Sequence, residues 1–151
     1  MKMMPAKTLL AAAMLSSAIA SAPVQAVPAA PLTRMEVYAI WSSNCGWEST
    51  RGKYATTCDH GGAQLRVFVL EVGYGFNRKA SMLGDDLPRA GIVDTLDVCM
   101  VGDQPYNCHG QSIEAFIHEI KLDGYQNGQF VYQNTSVNAP QNTMSTWIRI
   151  Q

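Results

Sequence analysis

Cys58-Asp59-His60-Gly61-Gly62-Ala63-Gln64-Leu65-Arg66-Val67-Phe68-Val69-Leu70-Glu71-Val72-Gly73-Tyr74-Gly75 is the stretch on which the reading of this chain turns. It joins a cysteine, a polar glycine turn, a strongly β-prone run and a second glycine turn. Val67, Phe68, Val69 and Leu70 are adjacent, and a run that is apolar on both faces belongs to a strand covered on both faces. Leu65 to Val72 is therefore expected as a central strand. Its ends carry the groups with the most chemistry to offer: Asp59 and His60 before it, Tyr74 and Phe76 after it.

Upstream, Arg34 to Trp41 alternates, with Met35, Val37, Ala39 and Trp41 on one face and Glu36 and Tyr38 on the other, the pattern of a half-buried strand. Ser42 to Thr57 is a polar loop holding Cys45, Trp47 and Tyr54. Downstream, Gly73 to Arg89 is a loop with turn signals at Gly84-Asp85-Asp86 and Pro88, and room for a short helical turn over Lys79 to Leu83. Ile92 to Val101 is a further strand, followed by a tight polar loop, Gly102 to Gly110, that holds Pro105, Tyr106 and His109. Ile113 to Leu122 fits both a helical stripe (Ile113, Phe116, Ile117, Ile120) and a strand face (Phe116, His118, Ile120, Leu122). The turn pairs Asp123-Gly124 and Asn127-Gly128 that follow favour strand. Phe130 to Val137 and Thr143 to Ile150 complete the set, the last placing Met144, Thr146, Ile148 and Ile150 opposite Ser145, Trp147 and Arg149. Short strands between Gly, Pro and Asn loops predict a mainly β fold, an antiparallel β-sandwich or barrel-like single domain over residues 34–151.

The first 26 residues read as a secretory signal peptide. Lys2 and Lys7 precede an apolar run from Leu9 to Ala20, and Val24-Gln25-Ala26 presents small residues for cleavage after Ala26, with Ala22 as the second choice. The apolar run is shorter than the roughly 20 residues of a bilayer span. Residues 27–33, rich in Pro and Ala, read as a flexible leader. A secreted or periplasmic location is the expectation. Removing Lys2 and Lys7 takes the formal charge from −1 to −3. A mildly acidic protein without a basic patch gives no footprint for nucleic acid or for anionic lipid. All four cysteines lie beyond the signal, which in an exported chain points to disulfides. Of the three pairings, Cys45–Cys58 and Cys99–Cys108 are favoured because each staples a polar loop between predicted strands. The absence of a Cys-x-x-Cys spacing argues against zinc, and no metal or other cofactor is expected.

Two stretches, Cys58-Asp59-His60-Gly61-Gly62 through Gly73-Tyr74-Gly75 and Tyr132-Gln133-Asn134-Thr135-Ser136-Val137-Asn138-Ala139-Pro140-Gln141-Asn142-Thr143-Met144, resemble small secreted bacterial proteins grouped as a domain of unknown function. The resemblance implies a bacterial, exported, mostly β protein and brings no activity with it.

His60 is the sharpest candidate for chemistry, as a general base or a ligand oriented by Asp59 or Glu71. The competing reading is a turn in which Asp59 caps, His60 is solvated and Gly61 and Gly62 supply unusual backbone angles. No Gly-x-Ser-x-Gly elbow accompanies it. Trp47, Tyr54, Tyr74, Phe76, Tyr106 and Tyr125 sit in or beside loops, with amides such as Asn127, Gln129 and Gln133 nearby. Aromatic platforms flanked by amides suit ligands that present both apolar faces and hydroxyls. The leading expectation is a secreted, non-enzymatic binding or interaction module for glycan or another cell-envelope component. One alternative is a small secreted hydrolase using His60 with Asp59 or Glu71. Another is a secreted toxin or protease inhibitor acting through the Cys99–Cys108 loop around Pro105 and Tyr106. Nothing in the sequence speaks to oligomeric state.

Overall fold

The structure, a computed structural model, describes residues 28–88 and 91–151. The predicted signal peptide lies outside the described residues. The strands are β1 (Arg34–Ser42), β2 (Gly46–Ser49), β3 (Leu65–Val72), β4 (Lys79–Met82), β5 (Asp85–Asp86), β6 (Ile92–Val101), β7 (Gln104–Tyr106), β8 (Ala115–Lys121), β9 (Gly128–Thr135) and β10 (Thr143–Ile150). They form two antiparallel sheets, ordered β2-β1-β3-β8-β6-β7 and β10-β9-β4-β5, that curl into a half-barrel. β3 lies between β1 and β8, so the apolar run does occupy the centre of the larger sheet.

Its alternating side chains explain why both faces are apolar. Leu65, Val67 and Val69 join the main core between the sheets, with Ile40, Met82, Ile120, Phe130, Tyr132 and Ile148. Leu70 turns the other way into a smaller cluster with Val98 and Ala115, flanked by Tyr38, Val72, Met100 and Ile117. Each buried Leu or Val side chain contributes about 1.5–3 kcal/mol relative to exposure, so β3 anchors two layers at once.

Simple alternation fails in β1. A bulge between Val37 and Ala39 shifts the register against β3. An extra residue in one strand reverses which side chains face inward beyond it. Val37 points into the main core before the bulge, and Ile40 does so after it. Trp41, expected on the Val37 face, is only partly buried, while Ser42 is enclosed. That reversal later proves decisive for His60.

Several local expectations change. Lys79–Met82 is a strand, because pairing with β9 decides its conformation: Lys79 to Met82 sit opposite Gln133 to Phe130. The Ser42–Thr57 loop contains β2, and the Cys99–Cys108 loop contains β7. Ile113–Leu122 resolves as strand β8 over Ala115–Lys121. Part of the segment expected as a leader is docked: Leu32 is buried, its amide donates to Ser136 Oγ at 3.0 Å, and the Thr33 amide donates to the Val72 carbonyl at 2.9 Å. A buried leucine and paired amides hold these residues to the domain.

Both expected disulfides are formed, Cys45–Cys58 and Cys99–Cys108. The first closes the loop that joins the two sheets. Within it, the Tyr54 carbonyl accepts from the Arg149 amide at 2.9 Å and the Thr56 amide donates to the Arg149 carbonyl at 3.0 Å. Ala55 thereby pairs in parallel with Arg149, along the outer edge of β10.

Candidate functional site

His60 is completely enclosed, contrary to the expectation of a solvated turn histidine. The cause is the loop that follows Cys45, folded over it. Its Nδ1 lies 2.9 Å from Ser42 Oγ and its Nε2 3.1 Å from Glu48 Oε2. In a neutral imidazole one nitrogen donates and the other accepts. With Nε2 donating to the carboxylate, Nδ1 accepts from the Ser42 hydroxyl, which in turn accepts from the Cys45 amide at 3.2 Å. Ser42 faces inward only because of the β1 bulge.

Glu48, on β2, is the hub of this group. Its carboxylate also accepts from Lys53 Nζ at 3.1 Å, from the Thr57 amide and hydroxyl at 2.9 Å each, and from the Cys58 amide at 3.2 Å. Burial alone would push its carboxyl up. The Thr57 amide, Lys53, His60 and the Thr57 hydroxyl outweigh that and lower it to about 2. Neither carboxylate proposed for His60 reaches it: Asp59 accepts from the Gly61 amide at 3.1 Å as a turn cap, and Glu71 belongs to a second site. A hydroxyl–imidazole–carboxylate row has the hydrogen-bond order of a nucleophile relay. Here, however, Ser42 is only 1% exposed.

The second site lies between the sheets. Glu71 (β3) and His118 (β8) are both fully buried, with His118 Nε2 3.0 Å from Glu71 Oε2. The Asn134 side-chain amide donates to Glu71 Oε1 at 2.9 Å, and Arg78 Nε stands 3.6 Å from Oε2. Thr95 Oγ1 lies 2.9 Å from His118 Nδ1. Burial opposes the Glu71 charge, but His118, Asn134 and Tyr132 together hold its carboxyl below the ordinary range. Burial, then the Glu71 charge, push the Tyr132 hydroxyl far up, so it stays protonated and keeps a proton to donate. Glu71 is near enough to influence it, yet the geometry falls short of a formed hydrogen bond. Arg78 Nε is likewise without a hydrogen-bond partner among the described residues. His109 is in neither group; it is exposed immediately after Cys108, outside the loop that the second disulfide closes.

The loop aromatics do not share one groove. Trp47 lies over Phe68, with ring centroids 4.7 Å apart. Tyr74 meets Phe116 edge-on at 5.1 Å, and its hydroxyl donates to the Ile113 carbonyl at 3.3 Å. Phe76 is exposed, Tyr106 donates to Gln111, and Tyr125 packs against the main core. Tyr54 is different. It pairs with Trp147 at 5.5 Å and 30°, and the two are 72% and 42% exposed. This pair forms a ridge between two clefts. One, of about 480 Å³, is lined by Tyr54, Ala55, Gly128, Gln129, Trp147 and Arg149. The other, of about 290 Å³, includes Glu36, Thr50, Lys53, Ser145 and Thr146.

Sequence reasoning named Tyr54 but missed Trp147 and Arg149 as its partners. The signal was present: Trp147 is an aromatic on the polar face of the last strand. Its register supplies the rest, since Trp147 sits opposite Val131 and Arg149 opposite Gln129.

Fold and site together define a disulfide-stapled, two-sheet β domain with an exposed aromatic ridge at one sheet edge. The chain belongs to the family described as a domain of unknown function (DUF4879), whose model matches residues 22–150. No curated protein and no solved structure matches the chain. Among the described residues, no helix is long and apolar enough to cross a membrane.

Proposed function

We propose that this is an exported bacterial binding module that recognises glycan of the cell envelope through the Tyr54–Trp147 ridge. The observation that carries the reading is the exposed, tilted aromatic pair with a cleft on each side. A sugar ring offers C–H faces for such rings and equatorial hydroxyls for flanking amides and hydroxyls. Gln129 lines one cleft, and Thr50, Ser145 and Thr146 line the other.

Rigidity favours the same place. Trp147 stands on β10, and Tyr54 is fixed by the backbone bond from Arg149 and by the Cys45–Cys58 closure. Preorganised aromatics bind with less loss of side-chain freedom. The disulfides and the amino-terminal signal support export. The hydrolase alternative loses support because His60 and Ser42 are enclosed and Glu71 is committed to His118.

The test is titration of the oxidised protein with a panel of envelope oligosaccharides, followed by tryptophan fluorescence and calorimetry. Binding is expected for the parent and a loss of roughly five- to thirtyfold in affinity for Trp147→Ala and Tyr54→Ala, in line with about 1–2 kcal/mol per stacking ring. Binding that survives both substitutions would overturn the assignment of the site.

A further inference from the structure

The two clefts beside the ridge differ in charge. On the Lys53 side every charged group is answered: Lys53 Nζ lies 3.1 Å from Glu48, while Glu36 accepts from Arg34 at 3.1 Å and from Arg51 at 3.0 Å. On the other side a single cation, Arg149, lines the cleft with no carboxylate beside it. Arg34, Arg51, Arg66 and Arg78 each approach a carboxylate, whereas Arg149 forms no ion pair among the described residues.

Arg149 is also placed rather than free to wander. Its amide and carbonyl are both bonded to the Tyr54–Thr56 segment, and its partner across the sheet is Gln129. On a strand, residues two apart share a face, so Arg149 and Trp147 project to the same side, and both line the cleft with Tyr54. An unpaired guanidinium on a fixed backbone offers a planar fork for one carboxylate, and the neighbouring amide can take a hydroxyl.

We infer that the ligand of this site is an acidic glycan, a uronic-acid-type saccharide whose one ring stacks on the Tyr54–Trp147 ridge while its carboxylate is held by Arg149 and an adjacent hydroxyl by Gln129. The inference rests on the reading of the ridge as a glycan site and adds the charge. One cation suits a monoanion, and the protein's net negative charge elsewhere makes the arginine a local exception.

The experiment compares three probes on the oxidised full domain: a hexuronic acid oligomer, an uncharged hexose oligomer of the same length, and a glycerol phosphate oligomer that carries charge without a sugar ring. The variants are Arg149→Gln and Trp147→Ala, each checked for an unchanged unfolding midpoint. The uronate should bind best, lose roughly tenfold in affinity with Arg149→Gln, and weaken with added salt. The uncharged oligomer should bind more weakly and be indifferent to Arg149→Gln. The glycerol phosphate oligomer should not compete. Equal affinity for charged and uncharged sugars, or no effect of Arg149→Gln while Trp147→Ala abolishes binding, would overturn the acidic specificity and leave the ridge as a neutral-glycan site. Competition by glycerol phosphate would assign the cation to phosphate instead. Binding of both sugars unaffected by Trp147→Ala would sink the ridge itself, and this inference with it.

Discussion

Two histidines in this domain have the same neighbours in kind and opposite neighbours in origin. His60 and His118 each face a hydroxyl at Nδ1, Ser42 and Thr95, and a carboxylate at Nε2, Glu48 and Glu71. The His60 group is assembled from residues no more than 18 positions apart, where it ties a disulfide loop to the edge of the larger sheet. The His118 group joins β3, β6, β8 and β9 across the interior. The same three chemical groups thus serve a local clasp in one place and a bolt between sheets in the other. A hydroxyl–imidazole–carboxylate row is therefore no evidence of catalysis until the hydroxyl can be reached.

The comparison is most directly broken at His118. His118→Ala would leave the Glu71 carboxylate buried with Asn134 and a distant Arg78, and removing one partner of a buried pair costs about 3–5 kcal/mol. Denaturant unfolding is expected to register a loss of that size; a loss below about 1 kcal/mol would show that the pair does not bolt the sheets. Next in size is Glu48→Ala, which strands the Thr57 and Cys58 amides and His60, with an expected loss of about 2–3 kcal/mol. Because Glu48 and the Cys45–Cys58 bond hold the same loop, combining Glu48→Ala with Cys45→Ala/Cys58→Ala should lose less than the sum of the separate effects. Strict additivity would deny the clasp.

Acid sharpens the contrast. Glu48 is lowered in the folded state from 4.5 to about 2, so its contribution is present above the unfolded value and is lost as pH falls from 4.5 towards 2. Glu71 is also lowered and acts in the same direction. Stability should therefore decline through that window, with a Glu48 share on the order of 2 kcal/mol, and Glu48→Gln should flatten the decline. An unchanged acid profile in Glu48→Gln would remove Glu48 as its source. The smallest effects belong to the turn beside His60. A Cβ on Gly61 would collide with the Gln126 carbonyl, whereas on Gly62, at φ +144°, it would meet the Asn44 side chain at 3.0 Å. Thermal unfolding should rank Gly61→Ala as worse than Gly62→Ala, each by about 1–2 kcal/mol, because a backbone carbonyl yields less readily than a side-chain amide.

What could be read from the sequence follows the range of the interactions. The central position of Leu65–Val72 came from its continuous apolar run, and the disulfides from loops bounded by predicted strands. The outward face of Ser145, Trp147 and Arg149 came from strict alternation, which β10 keeps. Alternation misled in β1, where the bulge beyond Val37 turns Ile40 and Ser42 inward without any glycine or proline to announce it. Glu71 could not be matched to His118 or Asn134, which lie 47 and 63 residues away. Burial of His60 depends on a loop closing over it, which a turn-like composition conceals. The Tyr54–Trp147 ridge needed the docking of one loop on a distant strand edge, a contact that no local pattern encodes.

That docking has a consequence beyond the ridge. Strand edges with free amides and carbonyls are templates for other strands. Here the edge of β10 is occupied by Tyr54–Thr56, a segment closed at its base by Cys45–Cys58. The segment covers that edge beside Trp147, and Gln151 adds a further bond by donating its amide to Thr56 Oγ1 at 2.9 Å. The disulfide therefore does more than tighten the fold: the loop it closes also covers a strand edge of the kind that serves as a template for other strands.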